Sequence, residues 1–147
     1  MNSAIEVRRL GPGDVTLARQ TLRLMADVFD EPSGSLSESY VAGLLARADF
    51  WVLAALRDGA PVGGLTAHAL PMTRIEATEL FIYDLAVQPA SQRQGVGRAL
   101  VNGLRALAAA HGITVCFVPA DNDDTHAIDF YRAIGGAEAA VTVFTFD

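Results

Sequence analysis

The stretch from Gln92 to Ala99 has the residue types of a loop that binds phosphate. It follows an apolar run, Phe81 to Val87, and leads into a segment with the periodicity of an amphipathic helix. Gly95 and Gly97 carry no side chains, so an anion can approach the main chain, and the first N–H groups of a helix are free to donate to it. A diphosphate fits this geometry and charge.

Two common glycine-rich loops do not match these residues. A dinucleotide fingerprint needs glycine where this chain has Leu100, and a P-loop needs lysine beside glycine. All 11 basic residues are arginine, which excludes the P-loop outright. What remains is the pattern Q-x-x-G-x-G, from Gln92 to Gly97, followed by Arg98 and Ala99.

This pattern resembles the acetyl-CoA signature of the GNAT superfamily of N-acetyltransferases. Two more segments extend the resemblance in family order: Tyr83 to Val87, which reads Y-D-L-A-V, and Ala127 to Gly135, which fits A-I-x-x-Y-x-x-x-G. Within the superfamily, Y-D-L-A-V together with Asp121 and Asp124 is most similar to the aminoglycoside 3-N-acetyltransferases. The similarity covers roughly residues 50 to 135.

The resemblance implies a fold, a cosubstrate and a set of contacts. It implies an acetyl-CoA-dependent N-acetyltransferase that acts by direct attack in a ternary complex, on a sheet whose fourth and fifth strands splay to admit the pantetheine arm. The backbone of Leu85, Ala86 and Val87 would bind that arm and polarise the thioester. The residues expected to bind the rest of the cofactor are Gln92, Arg93, Gln94, Gly95, Val96, Gly97, Arg98 and Ala99.

Asp84 and Tyr131 are the candidate catalytic residues, because acetyl transfer needs a neutral amine and a proton donor for the leaving thiolate. Asp84 is polar in an otherwise apolar strand, which favours a base or amine-orienting group; a structural carboxylate paired with arginine gives the same pattern. The resemblance assigns proton donation to Tyr131, whereas the residues alone favour an aromatic core residue. His126, on nearly the same helix face, is a third candidate, with an exposed histidine as the alternative.

Acidic residues indicate a cationic small-molecule amine as acceptor. The residues expected to border the acceptor cleft are Glu79, Tyr83, Asp84, Asp121, Asp123 and Asp124. Carboxylates attract an aminoglycoside with its several positive charges, although acids at a helix start are equally explained by solvation and the helix dipole. The other acceptors to consider are a polyamine, another small amine or a protein N-terminus. An acetyl-CoA-binding sensor module without catalysis is the alternative of another class.

Length, composition and charge limit the class of protein. The 147 residues are expected to form one domain, 1–147, and 51% hydrophobic with 19% charged residues argue against disorder. No apolar stretch approaches the ~20 residues of a membrane span, and a net charge of −6 without a basic stripe argues against nucleic acid as a partner. We expect a cytoplasmic protein with no metal, and a homodimer remains open. Cys116, the sole cysteine, is expected to be a buried, inert thiol.

Hydrophobic periodicity predicts a single-domain α/β fold with a mixed, mostly antiparallel sheet. A central parallel pair of strands, residues 80–87 and 113–119, is joined by a helix at 95–111 through a right-handed crossover. The other predicted elements are strands at 5–8, 50–56, 61–70 and 139–146, helices at 15–29, 37–48 and 124–134, a loop at 30–35 and a hairpin turn at Asp58-Gly59. The predicted buried side of the first helix consists of Leu17, Thr21, Leu24 and Val28.

Overall fold

The computed structural model of the protein describes residues 4–31 and 35–147. Within these residues, one five-stranded sheet is flanked by four α-helices. The elements in chain order are β1 Glu6–Arg9, α1 Val15–Val28, α2 Glu38–Leu45, β2 Phe50–Arg57, β3 Ala60–Pro71, β4 Thr78–Val87, α3 Val96–Ala110, β5 Cys116–Phe117 and α4 Thr125–Ala133. The predicted loop at 30–35 includes residues 32–34, which lie outside the described residues.

The strands lie side by side in chain order, β1-β2-β3-β4-β5. The first four pair antiparallel with their neighbours. β5 runs parallel to β4, with Leu80 opposite Cys116 and Phe81 opposite Phe117. This confirms the predicted mixed, mostly antiparallel sheet with one parallel pair.

Helices cover both faces of β2, and this explains why the strand is apolar at nearly every position. One set of alternate side chains, Trp51, Leu53 and Ala55, packs in a cluster with α3 residues. The other set, Val52, Ala54 and Leu56, packs in a second cluster with residues of α1 and α2. The two clusters are the cores on either side of the sheet.

The predicted turns and caps depend on backbone that only certain residues adopt. Asp58 and Gly59 have φ of 53° and 80°, as a two-residue hairpin turn between twisted strands requires. α3 begins after Gly95, with φ of 81°, and is followed by Gly112, with φ of 74°. The hairpin and the left-handed cap after α3 are therefore confirmed.

The buried side of α1 differs from the prediction. Ala18, Thr21 and Met25 are buried, whereas Leu17, Leu24 and Val28 are only partly buried. The cause lies in β3, where a Cβ added to Gly64 would stand 2.6 Å from Met25 Sδ and 2.7 Å from Thr21 Cγ2. Since the helix lies directly on the glycine backbone, small or flexible side chains must face the sheet there.

At the far edge of the sheet, one strand prediction was wrong and another was confirmed only in part. The predicted strand at 113–119 is regular only at Cys116 and Phe117, and the predicted strand at 139–146 does not form. A strand exists only where a neighbour pairs with it, and along the described chain β5 has a partner on one side only. On β4, Tyr83 is 62% exposed.

None of the described helices combines the length and the apolar character that crossing a bilayer requires.

Gly64→Ala is expected to destabilise the fold by about 1–3 kcal/mol, because fully buried Thr21 is branched close to its own backbone and cannot move aside. The matched control is Gly43→Ala in α2, where an added Cβ meets no atom within 4 Å and should stabilise by up to about 1 kcal/mol. Urea unfolding measures both changes. A shift of the same sign for both variants would contradict this account of Gly64.

Candidate active site

A β-bulge in β4 sets the orientation of the candidate base. β3 and β4 pair Thr66 with Asp84 and Ala67 with Ile82, so Tyr83 is an extra residue with no counterpart on β3. A bulge of this kind shifts the alternation of side chains along the strand by one. Residues on the two sides of Tyr83 therefore follow opposite parity.

The core contacts of β4 show this change of parity. Leu80 and Ile82 before the bulge, and Leu85 and Val87 after it, all pack in the cluster that contains α3. Uninterrupted alternation would have placed Asp84 on that same side. The bulge instead turns Asp84 toward the opposite face, where α1 and α2 pack on the sheet.

The surroundings of Asp84 distinguish the two readings of this carboxylate. It is half-buried, and none of the ion pairs formed within the described chain joins it to an arginine. Burial and, to a smaller extent, the negative charge of Glu31 raise its pKa. A structural carboxylate paired with arginine would show the opposite shift.

Tyr131 on α4 is partly buried, and the charge of Asp84 acts on its pKa. Burial, followed by the negative charges of Asp124 and Asp84, raises the pKa of Tyr131 from 10.0 to about 12. The phenol therefore keeps its proton at neutral pH and is available as a donor. The structure thus brings Asp84, Tyr131 and Asp124 into one electrostatic group, although the catalytic roles of the first two stay predictions.

Three of the predicted acceptor-side acids lie at or just before the start of α4. Asp124 is the N-cap of α4, where its carboxylate accepts a hydrogen bond of 3.1 Å from the Ala127 N–H. Asp121 and Asp123 are exposed in the segment before that helix. His126 is exposed in the first turn of α4, in agreement with the alternative reading of this histidine.

A row of aromatic rings crosses the sheet beside Tyr83. His68 pairs with Phe50 on β2 and Phe81 on β4, at ring-centroid distances of 5.0 and 6.4 Å. Phe117 continues the row at 5.2 Å from Phe81, and Tyr83 stands edge-on to His68 at 5.6 Å. Of this row, only Tyr83 was predicted as a site residue from the sequence, because the row itself depends on strand register. Glu79, two residues before Phe81, lies on the same face of β4.

The predicted phosphate loop forms the entry to α3. Gly95 has a left-handed backbone, and no atom lies within 4 Å of the position that a Cβ would take there. Arg93 also has positive φ, 62°. The open space above a helix N-terminus fits a diphosphate. Gly97 has a different neighbour, because a Cβ there would lie 3.0 Å from Cζ of Phe130, so this glycine makes room for α4.

β4 and β5 separate beside this loop. Their pairing covers only Leu80 and Phe81 with their two partners, and β4 continues to Val87 without β5. The edge from Tyr83 to Val87 therefore has no paired strand along the described chain, as a splayed pair requires. The Val87 carbonyl accepts a hydrogen bond of 3.0 Å from the Gln92 side chain, which ties the loop to the end of the strand.

Arg57 supports the loop and was missed in the sequence analysis. From the end of β2 its Nη2 donates to Gln94 Oε1 at 2.8 Å and its Nη1 donates to Ser91 Oγ at 3.3 Å. The Gln88 amide also donates to the buried Ser91 hydroxyl, at 3.0 Å. Because Arg57 and Gln94 are 37 residues apart, no local sequence pattern indicates this contact.

A metal site would need several ligating side chains close together. Across residues 4–31 and 35–147, no three His, Cys, Asp or Glu side chains are grouped so that they could hold a metal ion.

A family model and solved structures both relate this chain to acetyltransferases. The model of the acetyltransferase (GNAT) family matches residues 19–135. The crystal structure of an aminoglycoside acetyltransferase from an uncultured soil metagenomic sample, in complex with trehalose, is 34% identical, with a TM-score of 0.92 over 97% of this chain and 95% of that chain. The same enzyme in complex with sisomicin gives 33% identity and a TM-score of 0.93, again over 97% and 95%.

A curated relative matches a shorter part of the chain. The [ribosomal protein bS18]-alanine N-acetyltransferase of Escherichia coli (strain K12) is 30% identical over 73 residues, which make up 50% of this chain and 49% of that protein. The match thus spans about half of the length of this relative.

Arg57→Met is expected to raise the KM for acetyl-CoA by about 5–150-fold, because two hydrogen bonds that hold the loop are lost at roughly 0.5–1.5 kcal/mol each. The kcat should stay within about twofold, since Arg57 is far from the reacting atoms in this scheme. Arg47→Met is the control, because Arg47 forms an exposed ion pair with Asp49. Steady-state kinetics decide: a lower kcat at unchanged KM would contradict a positioning role for Arg57.

Proposed function

Because the chain belongs to the acetyltransferase (GNAT) family, we propose that it transfers an acetyl group from acetyl-CoA to an amino group of an aminoglycoside, at the 3-N position. The observation that supports this proposal is the effect of the Asp84 charge on the pKa of Tyr131, together with a β4 edge that β5 leaves unpaired from Tyr83 to Val87. The 34% identity to an aminoglycoside acetyltransferase supports the acceptor class. The 3-N position rests on the Y-D-L-A-V motif and the acids that precede Ala127.

Acetyl-CoA supplies the activated acetyl group. The N-terminus of α3 and the left-handed Gly95 would hold the diphosphate, where free N–H groups and the helix dipole favour an anion. The exposed β4 edge at Leu85, Ala86 and Val87 would hydrogen-bond the pantetheine arm. Arg57 does not contact the cofactor in this proposal. Its hydrogen bonds hold the loop in its binding conformation before the cofactor binds.

Asp84 is proposed to receive a proton from the acceptor amine, or to orient that amine for attack. A raised pKa makes this carboxylate a better base than an ordinary aspartate, because the catalytic optimum lies near the working pH. Glu31 adds negative charge that acts on Asp84, and Asp124 adds negative charge that acts on Tyr131. Together they favour a polycation over a neutral amine.

Tyr131 is proposed to donate a hydrogen bond to the leaving thiolate. Its pKa of about 12 lies well above the pKa of an ordinary thiol, about 8.5. The tyrosine therefore stabilises the thiolate as a donor more readily than it gives up its proton. Since both Asp124 and Asp84 disfavour a phenolate, they keep the donor in its protonated form.

The aromatic row gives the acceptor an apolar surface. Tyr83, His68 and Phe81 present ring edges and faces on the same side of the sheet as Asp84. Sugar rings carry C–H faces that pack on aromatic side chains, while their amines reach carboxylates at the rim. The complexes of the soil enzyme with trehalose and with sisomicin support a saccharide-like acceptor.

A protein N-terminus is a second candidate acceptor. The partial match to the ribosomal-protein alanine N-acetyltransferase favours it. An α-amine with one positive charge would use Asp84 and Tyr131 in the same way but would not need the surrounding acids. The two candidates therefore differ in how many charges the acceptor must carry.

The proposal predicts that the protein acetylates sisomicin once, at the 3-amino group. Mass spectrometry gives the number of acetyl groups, and NMR of the purified product identifies the acetylated nitrogen. A peptide with N-terminal alanine is the comparison acceptor. Acetylation at another nitrogen would contradict the 3-N position alone, whereas turnover of the peptide with none of sisomicin would overturn the aminoglycoside assignment.

Substitution of the two catalytic candidates should separate their roles. Tyr131→Phe removes one hydroxyl and is expected to lower kcat by about 10²–10⁴-fold with little change in acetyl-CoA affinity. Asp84→Asn should lower kcat/KM for the acceptor, and the wild-type value should itself fall as the pH drops through the raised pKa of Asp84. Full turnover by both variants would contradict the two assignments.

Stability supplies a control for Asp84→Asn. The pKa of Asp84 is higher in the folded than in the unfolded protein, so the folded state favours the protonated carboxyl group. The free energy of unfolding of the wild type therefore falls as the pH rises through the folded pKa and the group ionises. The Asn variant should therefore melt slightly higher than the wild type at pH 8 and equally at a pH where Asp84 is protonated. Thermal unfolding at both pH values checks the sign.

A further inference from the structure

α4 is attached to the rest of the domain by few side chains. None of its residues is fully buried, and within the described chain Phe130 is the residue of 125–133 that packs against the core cluster containing α3. The Phe130 ring lies on the first turn of α3, where a Cβ added to Gly97 would stand 3.0 Å from its Cζ and 3.1 Å from its Cε1. The position of α4 therefore depends strongly on this ring and on the glycine beneath it.

The same ring contacts the candidate proton donor. The rings of Phe130 and Tyr131 meet at an angle of 68°, with 5.1 Å between their centroids. This is the edge-to-face arrangement that aromatic pairs favour. Because consecutive helical residues point about 100° apart, the two side chains leave α4 in different directions. Phe130 thus contacts Gly97 and Tyr131 at the same time.

The backbone of Tyr131 is fixed by the end of its own helix. Gly135 has φ of 98°, and the Gly136 N–H donates to the Tyr131 carbonyl at 2.9 Å, as in a left-handed helix cap. A Cβ added to Gly136 would lie 3.0 Å from that carbonyl oxygen. The phenol can therefore move by rotation of its own side chain or by displacement of the whole helix, and the Phe130 ring limits both movements.

We propose that Phe130 is a positioning residue for acetyl transfer, which packs on Gly97 and so sets where Tyr131 stands relative to the start of α3. This inference rests on the proposed function, in which Tyr131 donates to the leaving thiolate and the start of α3 holds the diphosphate. One helix would then bind the cofactor and support the ring that contacts the donor. The missing side chain of Gly97 makes room for Phe130, whereas the open Cβ position at Gly95 leaves room for the anion.

A pair of substitutions tests this role through kinetics. An added methyl group in Gly97→Ala must displace the Phe130 ring by a few tenths of an ångström. The kcat for sisomicin should fall by about tenfold, because small misplacements of a catalytic group are costly, while the Kd for CoA changes by less than about threefold. Phe130→Leu makes room for the methyl group, so in that background Gly97→Ala should change kcat by less than about twofold.

NMR of protein labelled with ¹³C at tyrosine Cζ gives a readout that needs no turnover. The chain has three tyrosines, and the signal of Tyr131 is the one absent from Tyr131→Phe. Gly97→Ala should shift this signal and leave those of Tyr40 and Tyr83 in place. In the Phe130→Leu background, Gly97→Ala should no longer shift it.

Gly103→Ala is the matched control, because it adds a methyl group to the same helix at a position away from Phe130. The added Cβ would lie 2.8 Å from Cγ1 of Val7 on β1, so this variant disturbs packing against the sheet. It should lower the thermal stability and leave both the Tyr131 signal and kcat unchanged. An equal shift of the Tyr131 signal in Gly103→Ala would mean that the signal reports a general loss of packing, which would overturn the proposal.

The remaining outcomes are distinct. An unchanged Tyr131 signal in Gly97→Ala would contradict the proposal, as would a shift that persists in the Phe130→Leu background. A higher Kd for CoA at unchanged kcat would assign Gly97 to the phosphate and would also overturn it. If the signals respond as expected but the natural protein does not acetylate sisomicin, the placement of Tyr131 by Phe130 stands and the proposed acceptor is wrong.

Discussion

The extra residue Tyr83 determines what β4 presents on each of its sides. Before it, even-numbered side chains enter the core with α3; after it, odd-numbered ones do. The strand can therefore remain anchored in the core along its whole length and still direct a carboxylate to the opposite face. Without the bulge, Asp84 would be buried among leucines and valines, where an unpaired charge costs several kcal/mol.

Opposite charges are kept apart in this small domain. The anionic cofactor is proposed to meet the α3 N-terminus, with Arg57 behind the loop and Arg93 and Arg98 in it. The cationic acceptor is proposed to meet the side with Glu31, Asp84 and Asp124. A net charge of −6 would attract such a cationic acceptor at long range, while the local backbone amides would offset that field at the proposed diphosphate site.

Much of the fold could be predicted from the sequence, because local patterns report local structure. The hairpin at Asp58-Gly59 and the glycine caps of α3 follow from backbone conformations that few residues adopt. Helix and strand periodicities located eight of the nine described elements to within a few residues, and β5 only in part. The burial of α1 could not be predicted, because it depends on a glycine in another element, Gly64.

At the candidate site, too, local features could be predicted from the sequence, whereas features that depend on distant contacts could not. The glycines predict the loop from Gln92 to Ala99, and the resemblance to a family indicates roles for Asp84 and Tyr131. The bulge, the aromatic row and the Arg57 contacts depend on register and on pairs far apart in the chain. The strand predicted at 139–146 has the right composition, but pairing needs a neighbour as well as propensity.

The Arg57 contacts also affect the thermodynamics of ligand binding. Ordering a flexible backbone costs about 1–2 kcal/mol per residue in conformational entropy. Hydrogen bonds from Arg57, Gln88 and Gln92 already fix this loop, so its conformational entropy is lost when the chain folds. A cofactor bound at this loop, as proposed, would therefore meet a preorganised backbone and would not have to order the loop first.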